Sequence, residues 1–324
     1  MSIRKLAGET AIYGGAHILG KLINFLLVIV HTAAFSQAEY GVRTFLYAAI
    51  PFLSVLMTYR IEVAYFRFGS DDKDNENVIF TTSMVSIFIS TILLGVALTL
   101  FVPFIAHLQG FEQQHHLFYL AIGILGTDAI NTILYAKLRL DGQPLRFALA
   151  NLSGVVITVV LNLFFLLYCA TSSVPFFRAW YDPSYGVGYV FLANLLGSLT
   201  SFLILMPLLR HLQLKKVERA TWLKMVRFAG PLILVGLSFV VNETFDRLVM
   251  LSIAPGETEA ARKAETGIYG AVYSLTMFIA LFRQAFQYAG EPFFFQQKTA
   301  ENAQQVYADV TAFLPSLYRL VFCL

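Results

Sequence analysis

The chain has 324 residues, of which 57% are hydrophobic and 13% charged, with a formal net charge of +3 and a mean hydropathy of +0.67. A soluble domain carries about 25% charged residues, so these values exclude a soluble globular enzyme, a disordered chain and a broad nucleic-acid-binding surface. The two cysteines, Cys169 and Cys323, both lie in apolar stretches and imply neither a disulfide framework nor a thiolate metal site.

Three uncharged runs set the class: residues 78–106, 147–177 and 183–209. Each exceeds the about 20 apolar residues that cross a bilayer as a helix, the form that satisfies every backbone group internally. Around them the sequence predicts about nine helices, over residues 11–34, 40–59, 78–106, 116–136, 147–169, 186–209, 228–253, 266–288 and 306–324. The first reads as a span and not as a cleaved signal, because its apolar stretch is long and Lys21 interrupts it.

Topology follows from the loop charges. One side gathers fifteen Lys and Arg, from Arg4 and Lys5 through Arg60, Arg67 and Lys73 to the run between Arg210 and Arg227, while the other holds Arg178, Arg262 and Lys263. The expectation is a cytoplasmic N-terminus. The aromatic cluster Phe176, Phe177, Trp180, Tyr181, Tyr185 and Tyr189 then falls at the outer interface, where such rings commonly sit.

A weak internal repeat runs at an offset of 229 residues. Tyr40-Gly41 matches Tyr269-Gly270, and Tyr59, Glu62 and Phe66 match Tyr288, Glu291 and Phe295. Matched helices run in the same direction, so the repeats are expected to be parallel. The expected layout is a six-helix N-terminal lobe over residues 1–212, a basic cytoplasmic linker over 213–227, and an incomplete C-terminal lobe over 228–324. On this reading the sequence is truncated.

Ionisable residues inside a membrane span cost about 2.5–3.5 kcal/mol at a helix centre on insertion scales and mark candidate sites. The seventh helix carries Glu243, Asp246 and Arg247 on one face, beside Asn242. The fourth carries Asp128, with Asn131 and Tyr135 on the same face. Lys21, Arg43 and Arg283 complete the set. Lys21, Arg43, Arg247 and Arg283 are candidates for a cationic substrate cavity, and Asp128, Glu243 and Asp246 for ion coupling. Glu62 and Glu291 are repeat-related, and Glu62 lies beside Arg60 as an interfacial ion pair. The stripe Asn151, Thr158, Asn162 reads as interhelical hydrogen bonding. Glu112, His115 and His116 lack a further ligand nearby, so no metal site is expected. No Walker loop, nucleophile elbow or CxxC pair is present, which leaves an ion gradient or the substrate's own gradient as the energy source.

Several segments resemble the polysaccharide-flippase (Wzx-like) family of the multidrug/oligosaccharidyl-lipid/polysaccharide (MOP) exporter superfamily. They are Phe228, Pro231 and Leu232, the Asn242…Asp246-Arg247 group, Gly267-Ile268-Tyr269 and Glu291-Pro292. The opening is also similar, from Ile12-Tyr13-Gly14 through Tyr40-Gly41 to Glu62 and Phe66-Arg67-Phe68. The resemblance implies an all-α polytopic, MATE/MOP-like membrane protein of the bacterial inner membrane. It implies two six-helix lobes around a cavity and alternating-access movement of a polyprenyl-diphosphate-linked oligosaccharide for polysaccharide synthesis. The expected partners are that substrate, membrane lipids, and the polymerase and glycosyltransferases of the pathway. No cofactor beyond a coupling H⁺ or Na⁺ and no nucleic acid is implied. The competing readings are a cation-coupled multidrug antiporter of the same superfamily, a membrane glycan polymerase or ligase, and a non-transporting scaffold.

Overall fold

The computed structural model describes residues 3–179, 181–253 and 258–276. Ten helices are defined there, and no strand occurs among the described residues. They are α1 (Ile3–Ala34), α2 (Gln37–Thr58), α3 (Ile61–Asp71), α4 (Glu76–Leu108) and α5 (His115–Leu140). Then follow α6 (Pro144–Leu163), the short α7 (Pro175–Arg178), α8 (Gly188–Leu205), α9 (Arg219–Ile253) and α10 (residues 259–276). Among the described residues, seven helices are long and apolar enough to cross a membrane: α1, α2, α4, α5, α6, α8 and α9. The protein is a multi-pass membrane protein. All seven match predicted spans, and α10 covers the first part of the predicted eighth. The predicted ninth helix, at residues 306–324, lies outside the described residues.

Local chemistry sets several boundaries. Ser36 caps α2 through a capping box with Glu39: each side chain bonds the other residue's backbone N–H. Pro144 opens α6, where its missing N–H costs nothing. α6 continues as a π turn over Phe164–Cys169, and α8 as a 3₁₀ turn over Met206–His211. α9 starts at Arg219, nine residues before the predicted start at 228. Within the expected basic linker, residues 219–227 are therefore already helical.

The packing order is α1 against α6, α6 against α8, α8 against α5, and α5 against α4, while α2 lies on α5 and α9. α6 and α8 cross at Gly154 and Gly197. A Cβ on Gly154 would lie 2.8 Å from the Gly197 carbonyl oxygen, and one on Gly197 would lie 2.6 Å from the Gly154 oxygen. Small residues are how membrane helices approach this closely. α2 and α10 make a similar crossing, where a Cβ on Gly41 would strike the Lys263 carbonyl and one on Gly267 the Gln37 carbonyl. The repeat-matched segments around Gly41 and Gly270 thus pack on each other.

The outward faces are apolar. On α4, Ile89, Leu93, Val96, Leu100 and Phe104 are each at least half exposed, which is the pattern of a lipid-facing helix and not of a soluble one.

Between α2 and α3 the backbone turns through two left-handed residues, Tyr59 (φ 36°) and Arg60 (φ 61°). Such conformations in bulky residues cost of order 1–3 kcal/mol each and persist only where the surroundings hold them. Here the Tyr59 hydroxyl meets Ser86 Oγ at 2.5 Å, and the same oxygen accepts from Trp222 Nε1 at 2.6 Å. The Arg60 guanidinium pairs with Glu62 at 3.6 Å and lies against Gly236 of α9. α2, α4 and α9 are tied together at this break.

Candidate functional site

The main cavity has a volume of about 640 Å³ and is walled by α1, α2, α5, α6 and α8, with Ser274 of α10 at its edge. Each wall contributes a polar stripe at helical spacing. From α1 come Lys21, Asn24 and His31, from α5 Asp128, Asn131, Thr132 and Tyr135, and from α6 Asn151, Thr158 and Asn162. α8 contributes Asn194, Ser198 and Ser201. The opposite face of α1 carries Leu19, Leu22, Leu26 and Ile29, all exposed. α1 therefore separates a polar interior from lipid.

Among the described residues, the Lys, Arg, Asp and Glu side chains lining this cavity are Lys21, Arg43 and Asp128. The Arg43 guanidinium sits between two rings, 5.0 Å from the Tyr40 centroid and 4.9 Å from that of Tyr47. Tyr47 is fixed in turn, because Asn194 Nδ2 donates to its hydroxyl at 2.9 Å. Cation–π contacts orient the guanidinium without consuming its N–H donors. Arg43 Nε is buried without a hydrogen-bond partner among the described residues, and so is His31 Nδ1. The other His31 nitrogen, Nε2, meets Asn162 Oδ1 at 2.8 Å, and both residues are fully buried. Asn131 Nδ2 donates to the Ser198 carbonyl at 3.0 Å. The Arg43 guanidinium thus stands in the cavity as an oriented donor, whereas neutral His31, whose Nε2 donates to Asn162 Oδ1, offers Nδ1 as an acceptor.

The seventh-span charges are placed elsewhere. Glu243, Asp246 and Arg247 on α9 are not among the residues lining this cavity. Arg247 curls back to donate to the Glu243 carbonyl and lies 4.0 Å from the centroid of the Tyr273 ring. It also approaches Asp246 at 3.6 Å, while the Tyr269 hydroxyl donates to Asp246 at 2.5 Å and the Tyr273 hydroxyl to Glu243 at 3.2 Å. Arg247 pairs with Asp246, and the hydroxyls of Tyr269 and Tyr273 bond the two carboxylates, which ties α9 to α10. Arg247→Ala is expected to destabilise the protein by about 1–2 kcal/mol, the range for a partly exposed charged hydrogen-bonding group. A lower thermal midpoint of the purified variant would show this, while an unchanged midpoint would free Arg247 for a role in transport.

Glu62 is buried beside Arg60 at the α2–α3 break, with Oε2 unpartnered among the described residues. Burial pushes its carboxyl pKa above the usual range, against the pull of Arg60. Arg283 and Glu291 lie outside the described residues. The α6 stripe bonds between helices as expected, with Thr158 Oγ1 donating to the Ala193 carbonyl of α8 at 3.4 Å and Asn162 Oδ1 meeting His31 of α1, and it also lines the cavity.

His31, Tyr47, Asn194 and Ser198 are cavity residues that the sequence reading missed. The signal for His31 was present, since it lies ten residues after Lys21, on the same face of α1. Asn194, Ser198 and Ser201 likewise repeat at four and three residues.

The family model described as polysaccharide biosynthesis protein matches residues 6–296. The chain belongs to this family. Its members include the Wzx-like flippases, and its structural neighbours are MATE transporters of the MOP superfamily. An inward-facing multidrug resistance MATE family transporter superposes with a TM-score of 0.57 at 17% identity, covering 92% of this chain and 71% of that one. A MATE transporter in the straight conformation gives 0.59 at 17%, covering 98% and 74%. A MOP superfamily transporter from Pyrococcus furiosus, whose binding pocket is described as having reverse polarity, gives 0.57 at 18%, covering 96% and 73%. At these identities the likeness fixes the fold alone. No curated protein matches this polysaccharide biosynthesis family member in sequence. The protein shares the fold of these MATE and MOP-superfamily structures.

Proposed function

We propose that the protein is a flippase that moves a polyprenyl-diphosphate-linked oligosaccharide from the cytoplasmic to the outer leaflet of a bacterial inner membrane, by alternating access. The observation that carries this reading is the Arg43 guanidinium, held in the cavity between the Tyr40 and Tyr47 rings with its Nε buried and without a hydrogen-bond partner among the described residues. A diphosphate is the natural complement of oriented guanidinium and ammonium donors. Neutral Asn, Ser and Thr side chains around them suit sugar hydroxyls. A hydrophobic cation would meet repulsion in the same place.

In this reading the N-terminus is cytoplasmic, and two lobes joined by the basic segment after residue 212 rock around the cavity. Asp128 is the preferred coupling carboxylate for H⁺ or Na⁺, because it faces the cavity while Glu243 and Asp246 are engaged with tyrosines. The cycle is driven by the difference in ligand affinity between the two facing states. The polymerase and glycosyltransferases of the same pathway are the proposed partners. A cation-coupled multidrug antiporter is the second reading, favoured by the MATE-like fold.

Deleting the gene and analysing membrane lipids by mass spectrometry separates these readings. The flippase reading expects a polyprenyl-diphosphate oligosaccharide to accumulate, shielded from enzymes added outside. Absence of accumulation with heightened sensitivity to cationic drugs would replace it with the antiporter. Unpolymerised units exposed on the outer face would indicate a polymerase or ligase.

A further inference from the structure

A second pocket, of about 290 Å³, lies away from the central cavity where the end of α5, the start of α6 and the end of α8 meet. Its floor is apolar, made by Leu138, Leu149, Leu205 and Leu208, and Arg146 and Arg210 stand at its rim. Arg146 donates through one Nη to Gln143 Oε1 at 3.0 Å, which steadies the guanidinium and leaves its other donors available. Neither arginine has a carboxylate partner among the described residues. Both side chains are exposed, and they stand on the chain's basic end, which also bears Lys215 and Lys216.

We propose that this pocket binds the phosphate headgroup of an anionic membrane phospholipid, with Arg146 and Arg210 on the phosphate and an acyl chain along the apolar floor. Charge complementarity selects the headgroup, since two guanidiniums lining one pocket favour a phosphate monoanion over a zwitterion. Continuity with the lipid-facing surface selects a lipid over a soluble anion. Leu149 of the floor is itself 61% exposed, and Leu145 and Leu203, next in the chain to the lining residues Arg146 and Ile204, are 72% and 64% exposed. Juxtamembrane basic pockets between helices are a recognised lipid-binding design. The site is independent of the flippase reading, because none of its residues lines the central cavity.

The test uses the purified, delipidated protein, titrated with phosphatidylglycerol or with phosphatidylcholine and read by native mass spectrometry. Phosphatidylglycerol is expected to be retained in preference to phosphatidylcholine. R146Q/R210Q is expected to lose about thirtyfold of that preference, from two surface charges acting together. R146K/R210K should keep most of it. Leu149→Trp, which fills the floor and leaves both arginines, should lose the lipid as well, and it decides the matter if the double variant does not fold. Equal retention by the wild type and a folded R146Q/R210Q would overturn the proposal. So would full displacement of the lipid by inorganic phosphate, which would mark a site for soluble anions.

Discussion

On the proposed flippase function, Arg43→Gln is expected to reduce translocation of the lipid-linked oligosaccharide about a hundredfold while leaving the amount of folded protein unchanged. Two charge-assisted hydrogen bonds to a phosphate, at about 1.5 kcal/mol each, account for that factor. Arg43 is placed for this role by the rings of Tyr40 and Tyr47, which hold its guanidinium plane, and by the absence of a competing carboxylate among the described residues. Glutamine keeps length and polarity but removes the charge and the fork. Arg43→Lys should be intermediate, since it restores charge without bidentate geometry. The measurement is protease-free protein in proteoliposomes, with appearance of fluorescent lipid-linked sugar in the opposite leaflet as the readout. Transport by Arg43→Gln at the wild-type rate would remove Arg43 from the site and leave Lys21 as the cavity's anchor. Tyr47→Phe offers a milder companion, because it keeps the ring but breaks the bond from Asn194.

The second large effect is on folding. Gly197→Val is expected to cost about 3 kcal/mol or more, at the upper end of overpacking penalties. The added carbon meets the Gly154 carbonyl at 2.6 Å, and backbone on a packed helix cannot swing aside. It also meets Thr158 Oγ1, the flexible half of the conflict. Gly197→Ala should therefore lose less, and Thr158→Ala should recover part of that loss by emptying the space beside it. Size-exclusion profiles and thermal midpoints in detergent read both steps. Wild-type stability in Gly197→Val would mean that α6 and α8 do not approach as described, and the cavity walls would then need rebuilding. Because α6 and α8 carry half of the polar stripes, the same substitution should also disturb transport by whatever protein does fold.

The sequence showed the spans because lipid demands long uncharged runs, and these survive as α4, α6 and α8 with small shifts at their ends. It showed Asp128, Asn131 and Tyr135 as one face because helical spacing is rigid, and all three line the cavity. It did not show which charged faces look at one another. Lys21 and Arg43 converge, whereas Arg247 is drawn away by Glu243, Asp246 and two tyrosines of α10. Such choices depend on partners far away in the chain. The break at Tyr59–Arg60 was equally hidden, since neither glycine nor proline marks it. It is imposed by contacts to Ser86 and Gly236, and no local propensity announces it. The early start of α9 has a related cause. Trp222 and Met225 pack onto α4 through Ser86 and Ser83, so residues that read as a charged linker gain a helical seat.

That seat gives the molecule its own optical reporter. The chain has only two tryptophans, and Trp222 has its indole N–H bonded to Ser86 at the base of α4. With Trp180→Phe, all remaining indole emission comes from the spot where the basic segment meets the first helices. A red shift and easier quenching by aqueous iodide would then report that segment lifting away, with no label attached.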